Sequence, residues 1–479
     1  MPNCYLCIHG HFYQPPRMNP VTGHIPREPD AAPHANWNER ITAECYAPNA
    51  QAGNFEHISF NLGGTLARWL DGHAHATYER IVASERAYQE SHSVGNGVAQ
   101  PVHHTILPLA RRRDKICQVR WGIASFKRRF GHDPVGMWLP EMAVDYETLE
   151  VVAAEGMRFV ILSDEQVRNE RVASHISIGD GKAALGSLKA GAGPYRVQLP
   201  GGGEIAIFVR DRNLSNTLSF GMPDPAHVDQ WLREHVQWRC RKSRLLLVAT
   251  DGETFGHHHR QGVAVLSHIL KAGARFDYDL TTLGTYLRQN PPQAELEVIE
   301  NTAWSCSHRL DRWVVGCGCT PGDSRWKGAL RRALDNLACD LDEVYVREAR
   351  RLALSPWPLR DDYIAVVLNQ MDGSAFLREH GLGHLSDEKG RRLLALLEAQ
   401  LYRQRMYASC GFFFDDLDRH EPRYAIANAV HALILTRQAT GEDLSHGFCR
   451  DLRVAVRGKT GRTGADLFDE VAVQAEVYF

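Results

Sequence analysis

The sequence predicts an α/β fold: a distorted barrel of βα units followed by a helical region. Three observations carry that prediction. Short β-like runs alternate with helix-patterned stretches, giving seven such units before residue 255. One run, Leu245–Ala249, is apolar at every position, which is how a strand buried on both faces reads. Beyond about residue 320 the pattern changes to apolar residues at helical spacing with few β-branched runs. The expected division is a catalytic barrel over 1–300 and an α-helical domain over 301–479 that completes the site.

Taken in order, the first run is Cys4–His9, which ends in His9-Gly10-His11. His57–Asn61 is the second, and a helix-like stretch follows from Thr65 towards Gln89. Gly97–Val102 is a candidate third, Val135–Leu139 a fourth ending in Pro140-Glu141, and Arg158–Leu162 a fifth. A helical segment near Tyr146–Glu155 lies between the last two. Arg196–Leu199 and Glu204–Val209 flank three glycines, the signature of a hairpin whose second strand enters the barrel. Leu245–Ala249 completes the set. The glycine-rich stretch between Val167 and Pro194 reads either as a lid or as a surface insertion. Helices are expected over Trp326–Leu352, Asp362–Met371, Lys389–Met406 and Tyr424–Arg437, with Leu393, Leu394, Leu397 and Leu401 on one face. The apolar end, Val471–Phe479, is expected to dock.

Composition narrows the class. Of 479 residues, 44% are hydrophobic and 23% charged, the balance of an ordinary globular protein. A net charge of −2 gives no general attraction to nucleic acid or anionic membranes. No apolar run approaches the ~20 residues of a membrane helix, and the N-terminus lacks the basic-then-apolar pattern of a secretory signal. The 11 cysteines, odd in number and scattered, favour reduced thiols in a cytoplasmic protein over a disulfide framework.

The chemistry concentrates at strand ends. Asp251, Gly252 and Glu253 stand where the buried run Leu245–Ala249 emerges, followed by Phe255 and three histidines, His257 to His259. In barrels, that end of a strand is where ligands bind. Glu141 ends another run in the same way, with Trp138 two residues before Pro140. Barrel geometry brings such ends to one mouth, and glycoside hydrolysis needs such a carboxylate pair. His9 and His11 alternate and share a face, with Gln14 just beyond; they read as ligands for substrate hydroxyls or a metal, or as hydrogen-bonded core histidines. Of His103 and His104, only one can face the mouth. Trp304 reads as a sugar-stacking platform or as core. Cys306, His308, Cys317 and Cys319 permit zinc in principle, but the spacing is not a paired C-x-x-C arrangement, so no metal or cofactor is expected. Cys410–Asp416 reads as packing at a helix break or as a tip reaching the mouth.

In this order the residues resemble glycoside hydrolase family 57. His9-Gly-His11-Phe-Tyr-Gln14-Pro15 matches its histidine-glutamine-proline motif, and His104-Thr-Ile-Leu107-Pro108 a second. Trp138–Glu141 matches a Trp-Leu-Pro-Glu motif, Asp251–Gly256 an Asp-Gly-Glu-x-Phe-Gly motif, and Trp304 a variable fifth. The match spans roughly the first 310 residues. The segments Trp304–Cys319 and Ser409–Asp416 are similar to an uncharacterised branch with a helical C-terminal domain of unknown role. The resemblance implies a (β/α)7 barrel and a retaining mechanism on α-glycosidic bonds. Glu141 would be the nucleophile and Asp251 the general acid/base, with His11, His104 and Trp138 shaping the donor subsite. Glu253 competes with Asp251 for its role. The expected partner is an α-glucan or oligosaccharide, the activity of amylase or 4-α-glucanotransferase type. Two alternatives are weighed beside it: a metal-dependent deacetylase or mannosidase-like hydrolase, and a non-catalytic carbohydrate-binding protein on a degenerate barrel.

Overall fold

The computed structural model describes residues 4–168, 193–458 and 460–476. The chain folds as two units, each assembled from three stretches. The first is drawn from Met1–Gln14, Arg27–Val102 and Phe126–Trp304, the second from Pro15–Pro26, His103–Ser125 and Ser305–Phe479.

In the first unit, β1 (Tyr5–Phe12) lies between β2 (Ser59–Leu62) and a late strand, Leu245–Asp251, parallel to both. A second group begins with β3 (Gly136–Met137) and β4 (Phe159–Ser163), parallel neighbours. The short β5 (Val167–Arg168) pairs antiparallel with Glu297–Val298. β6 (Tyr195–Gln198) and β7 (Glu204–Arg210) form the expected hairpin, and β7 runs parallel to β4. The hairpin turn uses Gly202 and Gly203 at φ 92° and 84°, a conformation that costs glycine nothing. The late strand, β8 (Leu245–Asp251), is buried until its last residue, as its unbroken apolar run requires.

Parallel bridges from Phe60 to Gly97 and from Ala99 to Met137 connect the two groups. Between β7 and β8 the backbone N–H of Asp211 donates to Leu247 at 2.9 Å. The result is a barrel-like arrangement. The expected third strand, Gly97–Val102, is reduced to those two bridges. The helix expected from Thr65 to Gln89 is two helices, Gly64–His73 and His75–His92, because Ala74 leaves helical geometry at φ −140°. Beside the expectation of reduced thiols over a disulfide framework, Cys4 and Cys240 form one disulfide, and the other nine cysteines form none. The glycine-rich stretch falls mainly at 169–192, outside the described residues.

The second unit is mostly helical, led by Trp326–Arg351, Asp387–Arg405 and His420–Thr440. Gly441 at φ 79° ends the last of these. Leu393, Leu397 and Leu401 are buried as their spacing requires, whereas Leu396 is buried in place of Leu394. The helix expected over Asp362–Met371 is broken, leaving Pro356–Asp362 and Ile364–Val367, with Asn369 at φ 54°. A buried ion network ties helices here. Arg360 and Arg403 donate to the two carboxylate oxygens of Asp114 at 2.7 and 2.8 Å, and Arg403 also reaches Asp342 at 2.8 Å. Val471 and Ala475 are buried in the helix Gly464–Glu476, and the last three residues lie outside the description. Among the described residues, no helix is long and apolar enough to cross a membrane.

Candidate active site

Register places the first residues of the site. On β1, His11 is level with Asn61 of β2 and with Asp251 of β8. Partners across parallel strands project to the same face, so these three side chains stand in a row at the carboxyl ends of adjacent strands. His9 lies two residues deeper on that face. Its Nδ1 is 3.1 Å from Ser59 Oγ and its Nε2 is 3.1 Å from Asn61 Oδ1. Both ring nitrogens of His9 are thus occupied by the barrel wall and neither is left for a metal. The indole of Trp138 lies nearly parallel to both imidazoles, with centroids 5.0 Å from His9 and 4.7 Å from His11. Burial drives the pKa of His9 down to about 3 and that of His11 to about 4, so both are neutral.

Glu141 is carried by the turn Pro140–Met142 after β3, with left-handed φ/ψ of 57° and 19°. A remote segment fixes it there. Val144 and Thr302 form an antiparallel bridge. The backbone N–H of Trp304 then donates to the Glu141 carbonyl at 3.1 Å, and its indole N–H donates to Glu141 Oε2 at 3.2 Å. The Trp304 ring meets Trp138 edge-to-face at 5.2 Å and lies under the Arg210 guanidinium at 4.8 Å.

Arg210 ends β7 and is buried. It donates to Ser163 Oγ and to the Ala249 carbonyl, both at 3.1 Å. Its positive charge faces Asp251. Burial raises the Asp251 carboxyl most, the negative charge of Glu141 adds to this, and Arg210 opposes; the pKa is pushed up to about 7. A carboxylic acid that keeps its proton near neutrality beside a second carboxyl group is the arrangement acid/base work requires.

The glycines of Asp251–Gly256 have steric causes. A Cβ on Gly252 would fall 2.3 Å from the Phe12 ring, and one on Gly256 would fall 2.3 Å from the Glu44 carbonyl. Glu253 turns into the protein and is only 5% exposed. Tyr46 donates its hydroxyl to Glu253 Oε1 at 2.5 Å, and Gln14 approaches the same oxygen at 3.4 Å. Burial and the charge of Asp251 raise Glu253 to about 8. Of the three histidines, His257 pairs with Glu44 at 2.5 Å and His259 with the Ser219 carbonyl at 2.9 Å.

The first unit therefore gathers His9, His11, Trp138, Glu141, Asp251 and Trp304, and brings Gln14 against Glu253 on its buried turn. His104 belongs to the second unit, where its Nδ1 is 2.7 Å from Ser409 Oγ. Arg210, Asn61 and Ser163 were not singled out from the sequence. Arg210 and Ser163 each end a strand, where the rule that marks Asp251 applies to them too, whereas Asn61 is tied to the site by its register with His11.

Residues 34–298 match the family model described as Glycosyl hydrolase family 57. Residues 323–479 match a domain of unknown function, DUF3536. Alpha-amylase 1 of Dictyoglomus thermophilum is 25% identical over 202 residues, which is 42% of this chain and 26% of that protein. The chain thus aligns with about a quarter of that relative's length. Among solved structures, an exo-type maltose-forming amylase from Pyrococcus sp. ST04 superposes with a TM-score of 0.73 at 14% identity, covering 94% of this chain and 83% of the other. The α-amylase AmyC from Thermotoga maritima gives 0.60 at 12% identity, covering 98% and 99%. A branching enzyme from Thermococcus kodakaraensis gives 0.56 at 16% identity, covering 99% and 95%. At such identities the structural likeness establishes the fold. With the family model spanning more than half of its residues, the chain belongs to glycosyl hydrolase family 57.

Proposed function

We propose that this protein is a retaining enzyme acting on α-1,4-glucans, by hydrolysis or by transfer to an acceptor sugar, with Glu141 as nucleophile and Asp251 as general acid/base. The observation that carries the reading is the pair itself: Asp251 with its pKa raised to about 7, beside Glu141 and opposite Arg210. Asp251 would protonate the glycosidic oxygen while ionised Glu141 attacks the anomeric carbon, breaking the glycosidic bond and forming a glycosyl ester. Loss of the Asp251 proton leaves a carboxylate that then takes a proton from water or from an acceptor hydroxyl. The incoming oxygen displaces Glu141, and the anomeric configuration is restored. That chemistry calls for carboxyl groups about 5–5.5 Å apart.

The surroundings support this division of labour. Trp304 holds Glu141 Oε2 through its indole N–H, which fixes the orientation of the carboxylate. Neutral His9 and His11, stacked on Trp138, build this wall of the site without adding charge beside Asp251. The amylase and branching activities of those relatives support an α-glucan as substrate. A cytoplasmic setting is part of the proposal and rests on the nine free cysteines.

Incubation with maltooligosaccharides, with products resolved by size, linkage and anomeric form, tests the reading. Retained α-configuration in the first-formed product is expected. Inverted product, or no turnover of any α-glucan by folded protein, would remove it.

A further inference from the structure

The second unit contains a cluster that the glycosidase reading does not use. We propose that Cys306, His308, Cys317 and Cys319 form a structural zinc site. The sequence spacing argued against a metal because neither ligand pair is C-x-x-C. Folding brings the four together all the same: one potential ligand atom from each residue lies within 4.8 Å of all the others.

The Cys306–Cys317 separation is that of two ligands on one zinc, and the His308–Cys319 pair is closer by a few tenths of an ångström. With Zn–S bonds of about 2.3 Å and Zn–N bonds of about 2.0–2.1 Å, ligand atoms sit roughly 3.5–3.8 Å apart. The Cys306 and Cys317 sulfurs are 3.6 Å apart, and His308 Nδ1 is 3.2 Å from Cys319 Sγ. A disulfide requires its sulfurs at about 2.05 Å, and these three cysteines are free thiols. Three thiolates and one imidazole are a donor set that closes a structural zinc centre, with no open position for catalysis.

The surroundings fit as well. Backbone N–H groups of His308 and Arg312 face the Cys306 sulfur, and Ser307 reaches Cys319 Sγ at 3.5 Å. Donors of this kind orient metal-bound thiolates and share their charge. Arg312 donates to the Cys319 carbonyl at 3.4 Å, placing a cation beside a site whose net charge with zinc would be −1. Gly316 sets the turn into Cys317 with φ 86°, and a Cβ there would meet Ser324 Oγ at 2.3 Å. Between the ligand pairs lies one short helix, Asp311–Val314, and Cys317–Ser324 has no regular structure. A loop with so little ladder hydrogen bonding is where a metal cross-link adds most to order. Binding one Zn²⁺ by three thiols and a neutral imidazole releases three protons to solvent, which balances charge and atoms.

The test uses the full chain purified under reducing conditions without added chelator. Elemental analysis should find about one zinc per chain, lost in the double variant Cys317→Ser/Cys319→Ser. Cobalt(II) added to the stripped wild-type protein should give thiolate-to-cobalt charge transfer and the intense visible bands of tetrahedral cobalt. The cobalt measurement reads the wild type, so it stands even if the variant does not fold. Folded wild-type protein that holds neither zinc nor cobalt would overturn the proposal. So would zinc fully retained by the double variant, or a Cys306–Cys317 disulfide found by mass spectrometry in place of metal. None of these outcomes depends on whether the protein cleaves glucans.

Discussion

Trp304 grips Glu141 twice, through backbone N–H to carbonyl at 3.1 Å and through indole N–H to Oε2 at 3.2 Å. Two residues 163 positions apart are thereby locked in a single geometry. Holding the carbonyl and one carboxylate oxygen together fixes the side chain's orientation, which preorganises the proposed nucleophile.

Glu141→Gln should preserve this grip, because the amide oxygen can still accept from the indole. Turnover on the identified glucan should fall by a factor on the order of 10⁴ or more, with the melting temperature unchanged or raised. The same substitution removes the negative charge that lifts Asp251, so the Asp251 pKa should drop below about 7. Carboxyl titration by NMR in wild type and variant reads the shift, and an unmoved Asp251 would separate the two carboxylates.

The alkaline limb of the pH–rate profile should report Asp251. A general acid must be protonated, so kcat/KM should fall as pH rises through about 7. Arg210→Gln removes the opposing positive charge and should carry that limb to higher pH while lowering the rate. A limb moving to lower pH would reverse the assigned role of Arg210.

Glu253 and Asp251 can be told apart by their neutral isosteres. Asp251→Asn should cost about 10²–10⁴-fold in rate. Glu253→Gln keeps an acceptor for Tyr46 and should cost about 10-fold at most, near 1.4 kcal/mol. It should also stabilise the fold above pH 4.5. There the unfolded glutamate ionises, while the folded one holds its proton up to about 8. Thermal melts across pH 4–8 check the sign.

The buried histidines work in the other direction. Unfolded imidazoles take up protons below about pH 6.5, while His9 and His11 stay neutral in the fold down to about 3 and 4. Their stabilising contribution is complete above pH 6.5 and is lost as pH falls, at about 1.4 kcal/mol per pH unit for each histidine. His11→Asn should flatten the acid side of the stability curve measured by denaturant unfolding.

In the helical unit, Asp114→Asn would leave Arg360 and Arg403 facing a neutral side chain in a buried site. A loss of about 3–5 kcal/mol is expected, visible as a lower denaturant midpoint. A change under 1 kcal/mol, the scale of exposed pairs, would assign the network little energetic weight.

The sequence made the strands that carry the site legible because strands covered on both faces leave unbroken apolar runs, and Asp251 stands at the end of the clearest one. It did not reveal what closes the ring near Gly97, since two isolated bridges leave no periodic trace. Asn61 escaped notice because its importance comes from register with His11, and register is invisible in one chain read alone. Arg210 reads locally as a charge ending a strand; only the fold lays it over the Trp304 ring and within electrostatic reach of Asp251. The cysteine-histidine cluster shows the same limit. Spacing along the chain counted against it, while the turn at Gly316 folds the second pair back onto the first.

The left-handed backbone at Glu141 sets folding and reactivity against each other at one position. A side chain other than glycine held there costs about 1–2 kcal/mol, so Glu141→Gly would relieve backbone strain while deleting the proposed nucleophile. Any redesign that ranks substitutions by folding energy alone would discard this glutamate early. Thermostable variants sought for this enzyme should therefore be selected with residue 141 held fixed.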